Sequence, residues 1–259
     1  MLELKSIDKT FNIGTANENK LFSGFDLTIP KGQFLSIIGS NGSGKSTLLN
    51  IICGSLREDS GEILIDGDNI KKIPEHKRYI KIGRVFQDPK MGTSPKMTIL
   101  ENMSMAENKN KSWNLTPGVN KKKREIYRET LRGLGLGLED KLDDKVGLLS
   151  GGQRQALALI MATLVPIDFL ILDEHTAALD PKTADTVMAI TDKLVREKNL
   201  TALMVTHNLN YSIKYGDRLI MMHKGEKIMD LAGEEKKNLK LDSILDKFYE
   251  ISIEVGNSL

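Results

Sequence analysis

Residues 39–46 are Gly-Ser-Asn-Gly-Ser-Gly-Lys-Ser, and no other stretch limits the folding of this chain as tightly. Three glycines in six positions open left-handed conformations closed to other residues, so the run is a tight turn. Its flanks say what the turn joins. Phe34, Leu35, Ile37 and Ile38 form an apolar run of β-formers, the pattern of a buried parallel strand. Leu48, Leu49, Ile51 and Ile52 recur at helical spacing until Gly54 stops them. The turn therefore sits between a strand and a helix.

In that context the run fits the phosphate-loop pattern G-x-x-x-x-G-K-[ST] at all four fixed positions. The backbone of Ser40, Asn41, Gly42, Ser43 and Gly44 can aim its N–H groups at one concave point, and the helix N-terminus adds partial positive charge. A nucleoside triphosphate is the natural occupant. Lys45 would reach the β and γ phosphates, the Ser46 hydroxyl would ligate Mg²⁺, and Thr47 is a further phosphate contact. The competing explanation is a glycine-rich turn with a surface lysine.

Length and charge narrow the classes. At 259 residues the chain can bury a large core, one compact domain with a subdomain. Lys and Arg number 37 against 35 Asp and Glu, so no strong field recruits nucleic acid or a membrane surface. The run Lys121-Lys122-Lys123-Arg124 is expected to be a solvated helix face. A single cysteine, Cys53, forbids an internal disulfide, suits a reducing compartment, and falls in the helix after the loop as core. Charges at Glu3, Lys5, Asp8 and Lys9 interrupt any apolar leader, and Pro166 and Asp168 break the apolar stretch 156–172, so a cytoplasmic chain without its own membrane span is expected.

Three regions differ in pattern. The first alternates like antiparallel sheet, with Phe25, Leu27 and Ile29 before Pro30-Lys31-Gly32, and Ile63 and Ile65 before Asp66-Gly67. A short apolar strand from Ile82 to Phe86 closes at Gln87. Thr98 to Glu101 then fits a capping box, Asn120 can cap a second helix, and Leu131 and Leu134 continue an apolar face until Gly135. The third region alternates strand and helix: Phe169 to Leu172, a helix opened by Asp180-Pro181 and carrying Val187, Ile190, Thr191 and Leu194, then strands at Thr201 to Val205 and Arg218 to Met222. Met221 and Met222 are expected as core filler.

The expected fold is α/β: a P-loop NTPase core of mostly parallel sheet flanked by helices, with an N-terminal antiparallel β subdomain and a helical insertion. Within one domain spanning 1–259, residues 1–87 and 154–235 make the nucleotide-binding core, 88–153 the helical subdomain and 236–259 a helical tail.

Ligands of open α/β sheets sit at the carboxyl ends of the strands. Gln87, Asp173, Glu174 and His207 all fall there. Asp173 ends the run Phe169-Leu170-Ile171-Leu172 and should hold Mg²⁺ directly or through water. Glu174 beside it can orient the attacking water, His207 can hydrogen-bond the γ phosphate or that water, and Gln87 can contact the metal or the water.

Six short motifs stand in the order seen in ATP-binding-cassette (ABC) ATPases: Gly39 to Ser46, Gln87 in Val85-Phe86-Gln87-Asp88-Pro89, Leu149-Ser150-Gly151-Gly152-Gln153, Leu170 to Glu174, Ala178-Leu179-Asp180, and Thr206-His207. The chain resembles that family over nearly its whole length. The resemblance implies ATP hydrolysis with Mg²⁺, Asp180 at the nucleotide interface, and Phe11 stacked on adenine, although Phe11 could equally be core. His175 departs from the family pattern, which has proline there. The surroundings of Asp173 to Ala184 and Arg218 to His223 are most similar to ATPase subunits of bacterial uptake systems, the tryptophan and tyrosine types among them.

Ser150, Gly151, Gly152 and Gln153 precede an apolar helix expected from about Gln155 to Val165. Taken alone they are either an ordinary N-cap or a second anion site. The family resemblance implies the second: they face the γ phosphate held by another copy of the chain, giving an ATP-dependent head-to-tail dimer with two composite sites. It also implies integral membrane permease subunits docked in the groove beside Gln87, an extracytoplasmic solute-binding protein, and a peripheral place on the cytoplasmic face of the membrane. A soluble cassette of a cytosolic assembly system carries identical motifs, and a sensor that clamps without turnover is disfavoured by Glu174.

Overall fold

The computed structural model describes residues 1–109, 111, 118, 119 and 121–256, with side chains left aside at 121 and 251–256. Along the chain the elements are β1 (Leu2–Phe11), β2 (Asn19–Ile29), β3 (Phe34–Gly39), α1 (Lys45–Cys53), β4 (Ser60–Ile65), β5 (Asp68–Asn69), α2 (Glu75–Lys81), β6 (Ile82–Val85), α3 (Ile99–Asn108), α4 (Arg124–Arg132) and α5 (Gly151–Ala162). They continue as β7 (Phe169–Asp173), α6 (Pro181–Glu197), β8 (Ala202–Val205), α7 (Leu209–Lys214), β9 (Arg218–His223), β10 (Glu226–Ala232), α8 (Gly233–Lys237) and α9 (Leu241–Gly256). Two sheets form. One has the order β2-β1-β4-β5 and is antiparallel; the other runs β10-β9-β3-β8-β7-β6, parallel except for β10.

The residue patterns explain the division. β3 and β8 are buried at every position, as parallel strands covered on both faces must be, whereas β1 and β2 alternate and cover one side. α1 lies between the two sheets and buries Leu48, Leu49, Ile51, Ile52 and Cys53 in one core with Leu4, Ile29, Ile37 and Ile171. Burial pushes the Cys53 thiol up, so it stays neutral. On the opposite face of the parallel sheet, Leu170, Leu172 and Met204 pack against Leu159 of α5 and Ala184 and Met188 of α6. A third core joins Ile99, Met103, Tyr127 and Leu131 of α3 and α4 to Leu157 and Ile160 of α5. Met221 and Met222 are fully buried.

Several local expectations change. β10 is an antiparallel edge strand with no strong period-two signal, since its residues are exposed or half-buried. α5 starts four residues before Gln155, because Ser150 and Gln153 complete a reciprocal capping box, and it stops at Ala162. Thr98 and Glu101 cap α3 in the same way. α4 closes at Gly133 rather than Gly135; Asn120 lies outside the described residues, and Lys123 occupies the cap position. The basic run before α4 is not merely solvated: Lys123 pairs with Glu107 of α3, and Arg124 donates to both oxygens of Asp143. No helix among the described residues is long and apolar enough to cross a membrane.

Candidate nucleotide site

The turn between β3 and α1 is braced from behind by the β9–β10 hairpin. Gly225 N–H donates to the Ser43 carbonyl at 3.0 Å, and Ser40 Oγ lies 3.4 Å from His223 Nδ1. Gly44 has φ 103°, and a Cβ there would stand 2.9 Å from the Phe22 ring, so backbone angle and space both require glycine. It is also the N-cap of α1 and supplies no side-chain cap, so the first N–H groups of the helix lack the usual serine or aspartate partner. Lys45 is 5 % exposed and folds back on the turn, donating to the Gly39 and Ser40 carbonyls at 2.8 and 2.9 Å. Burial pushes its ammonium below the usual range, and Glu174 pulls the other way. A buried cation beside uncapped N–H groups is a ready anion site.

That site opens into a cleft of about 300 Å³ lined by the run Asn41 to Thr47 with Phe11, Asn19, Leu21, Glu174 and His207. Phe11 is half-buried at its rim, with Lys9 Nζ 5.5 Å from the ring centre. Glu174 follows β7 with φ 47°, a left-handed backbone rare for a residue with a side chain, and its N–H is held by the Val205 carbonyl at 2.9 Å. The bend aims the carboxylate at His207, whose Nε2 is 2.8 Å from Glu174 Oε1. Oε2 is left for another donor. An acceptor oxygen, a buried lysine and a donor-rich helix end thus face one cleft.

A second, larger cleft of about 940 Å³ adjoins the first through Phe11 and Thr47, and Gln87 and Asp173 line this one. The expected metal residues are therefore split, with Ser46 in the smaller cleft and Gln87 and Asp173 in the larger. Asp173 Oδ2 accepts a 2.6 Å hydrogen bond from Arg84 Nη2. Sequence reasoning passed over Arg84; the available signal was a lone cation inside the apolar strand Ile82-Gly83-Arg84-Val85.

The ABC transporter family profile matches residues 22–177. The tyrosine transport ATP-binding protein of Clostridioides difficile is 51 % identical over 248 residues, covering 96 % of this chain and 98 % of that one. The chain belongs to the ABC transporter ATPase family. Solved cassettes agree in fold. The MJ0796 cassette, a dimer bound to ADP and phosphate after hydrolysis, superposes with TM-score 0.75 and 32 % identity over 90 % of this chain and 98 % of its own. CbiO1 from Clostridium perfringens, part of the transporter complex CbiONQ, gives TM-score 0.76 and 26 % identity over 99 % and 97 %. The chain is thus an ATP-binding, ATP-hydrolysing transporter subunit with the α/β cassette fold.

Ser150 to Gln153 and Asp180 of this ABC ATPase line neither cleft, whereas Ala178 lines the larger one. Ser150 Oγ accepts from Gln153 N–H at 3.3 Å, Gln153 Oε1 accepts from Ser150 N–H at 3.2 Å, and Gln153 Nε2 donates to the Leu136 carbonyl. In one chain these residues act as a helix cap. Asp180 caps α6 through Thr183 N–H, which holds its carboxyl below the usual range, side-chain bonding to Thr183 first among the causes. The two helix starts touch: a Cβ on Gly152 would meet Thr183 Cγ2 at 2.1 Å. His175, one residue past Glu174, points away from the nucleotide cleft. It is 1 % exposed, its Nε2 is 3.0 Å from Thr191 Oγ1 in α6, and burial lowers its pKa to about 4.

Proposed function

We propose that this chain drives an amino-acid uptake system by closing as a head-to-tail dimer around two Mg-ATP. The observation that carries the reading is the separation just described. Lys45, Glu174 and His207 share one cleft, while the Ser150 helix start lies outside it and needs a second copy to supply an occupant. Each nucleotide would then be sandwiched between the phosphate loop of one copy and Ser150, Gly151, Gly152 and Gln153 of the other, with Asp180 beside them.

Within each site the backbone from Ser40 to Gly44 cradles the phosphates, and Lys45 exchanges its carbonyl partners for phosphate oxygens. Phe11 stacks on the adenine and Thr47 closes the phosphate end. Magnesium, when bound, neutralises charge on the β and γ oxygens, with Ser46, Asp173 and Gln87 as the residues to hold it. The donor set fits: one carboxylate, one hydroxyl and one amide oxygen line two clefts that adjoin at Thr47, and Mg²⁺ is usually held by one or two carboxylates plus substrate phosphates. In hydrolysis, water bonds to the γ phosphorus as the bond to the β–γ bridging oxygen breaks. Glu174 Oε2 accepts the water's hydrogen, with Oε1 steadied by His207.

Residues 88–153 would tilt with Gln87 and transmit closure to permease subunits docked in the larger cleft, placing the chain peripherally on the cytoplasmic membrane face. The tyrosine transport relative supports an amino-acid cargo; an extracytoplasmic solute-binding protein would deliver it. Glu174→Gln tests the clamp: it should bind Mg-ATP, lose roughly 10²-fold or more of its hydrolysis, and run as an ATP-dependent dimer on gel filtration. A monomer at saturating ATP, unchanged by Ser150→Arg, would remove the composite site. Native protein without a permease partner in solubilised membranes would remove the transporter role.

A further inference from the structure

Arg84 is the one cation in β6, and three of the four residues of that strand are buried. Its side chain is 9 % exposed and is anchored from three directions. Nη2 donates to Asp173 Oδ2 on β7 at 2.6 Å, and Nη1 donates to Asn50 Oδ1 on α1 at 3.0 Å. The guanidinium also lies over the Phe86 ring, 4.8 Å from its centre. Its two terminal nitrogens go to Asp173 and Asn50, and Tyr79 and Cys53 stand on its inner side. The planar group is matched to this task, since one face stacks while two N–H vectors diverge in the plane; a lysine could not do all three.

The consequence lies in where the Asp173 carboxylate ends up. It lines the larger cleft with Arg84, Phe86 and Gln87, and it is absent from the walls of the smaller cleft, where Lys45 and Ser46 stand. Two effects of Arg84 on a metal at Asp173 oppose each other. Fixing the carboxylate rotamer favours binding by a small amount, because an aspartate has little side-chain freedom to lose. A guanidinium within one side chain's reach of a dication opposes binding, and in a partly buried site that repulsion is the larger. Arg84 also occupies an oxygen that the metal could use.

We propose that Arg84 is a positioning residue that holds the Asp173 carboxylate in the larger cleft and withholds it from the metal–nucleotide. Transfer of Asp173 from Arg84 to the metal is then a discrete step in nucleotide binding. Phe86 sets its ease, because it carries the stacking contact and leads directly into Gln87. This rests on the assignment of Asp173 to the metal made above.

The test is ATP binding by calorimetry to the full chain, with Mg²⁺ and with EDTA, for the parent, Arg84→Gln, Phe86→Ala and Asp173→Asn. The readout is the ratio of the two dissociation constants. Arg84→Gln should raise the Mg²⁺-dependent gain about 10-fold and leave ATP binding in EDTA within about twofold. Phe86→Ala should move the ratio the same way by about threefold, and it keeps the test open if Arg84→Gln folds poorly. A purely structural role would shift both constants together, and that result overturns the proposal. So does an unchanged or smaller gain in both variants while Asp173→Asn abolishes it. If Asp173→Asn itself keeps the gain, the metal assignment fails, and the Arg84 proposal fails with it.

Discussion

Two helix N-termini in this chain are candidate anion sites, the first by its glycine-rich turn and the second by family resemblance, and they are finished in opposite ways. α1 begins at Gly44, which offers no side-chain acceptor, and Lys45 is folded onto the turn's own carbonyls. α5 begins at Ser150, where two reciprocal bonds with Gln153 already satisfy the cap. The first end is open to a phosphate by itself. The second surrenders a cap worth about 1 kcal/mol if its serine turns to a ligand, so it can only add to a phosphate that something else already holds. In the proposed clamp the order of assembly is then nucleotide first, partner second.

Breaking the first end should give the largest effect. Lys45→Met removes charge-assisted bonds to the phosphates and should weaken ATP binding by about 100-fold in calorimetry, from a loss of roughly 2–3 kcal/mol. Ser150→Ala in the same assay should leave single-chain affinity unchanged. Equal losses in the two variants would erase the distinction between the sites.

The next largest effect concerns stability. His175 has its pKa lowered from 6.5 to about 4 by burial, so the unfolded chain binds the extra proton first. Its stabilising neutral form is fully present above pH 6.5 and is lost as pH falls toward 4. By pH 5 the loss should be about 2 kcal/mol, read as a lower urea midpoint than at pH 7.5. His175→Gln should flatten this slope, and an unchanged slope would place the proton elsewhere.

Gly152→Ala should lower stability by about 1–3 kcal/mol through the clash with Thr183, with little change in ATP binding by the monomer. The smallest effect is the cap itself. Ser150→Ala should cost about 1 kcal/mol in thermal unfolding of the nucleotide-free chain, which measures how firmly the serine is held before a partner arrives.

The strongly patterned parts of the fold were legible. β3, β7 and β8 are dominated by apolar residues and the capping box at Thr98 follows from residue spacing, whereas Ser150 reads from the sequence only as an N-cap and its reciprocal bond with Gln153 came from the structure. β10 was not, because an exposed edge strand carries no core-facing alternation. The early start of α5 was obscured by Gly151 and Gly152, poor helix formers that are tolerated because α6 lies close against them. Phe11, the Asn41–Thr47 run, Glu174 and His207 share one cleft, as their places in the motifs anticipate. Arg84 had no motif to announce it, and nothing in the residues around Glu174 assigned a role to His175, which the structure buries against Thr191.

The sequence by itself determined the chemistry: a strand, a glycine turn and a helix placing one lysine and one hydroxyl at a donor-rich helix end suited to a triphosphate, with acidic and histidine side chains at the ends of parallel strands. Those are local properties of backbone angle and residue spacing. Only the tertiary structure decided which neighbours share a wall. The left-handed turn at Glu174 sends its carboxylate to His207 while His175 goes to the core behind, and the register of β6 beside β7, with Arg84 opposite Ile171, leaves Asp173 two residues further on and within reach of the Arg84 guanidinium. A left-handed turn parts two neighbours in sequence and sheet packing joins residues on separate strands, so adjacency in sequence could not foretell either pairing.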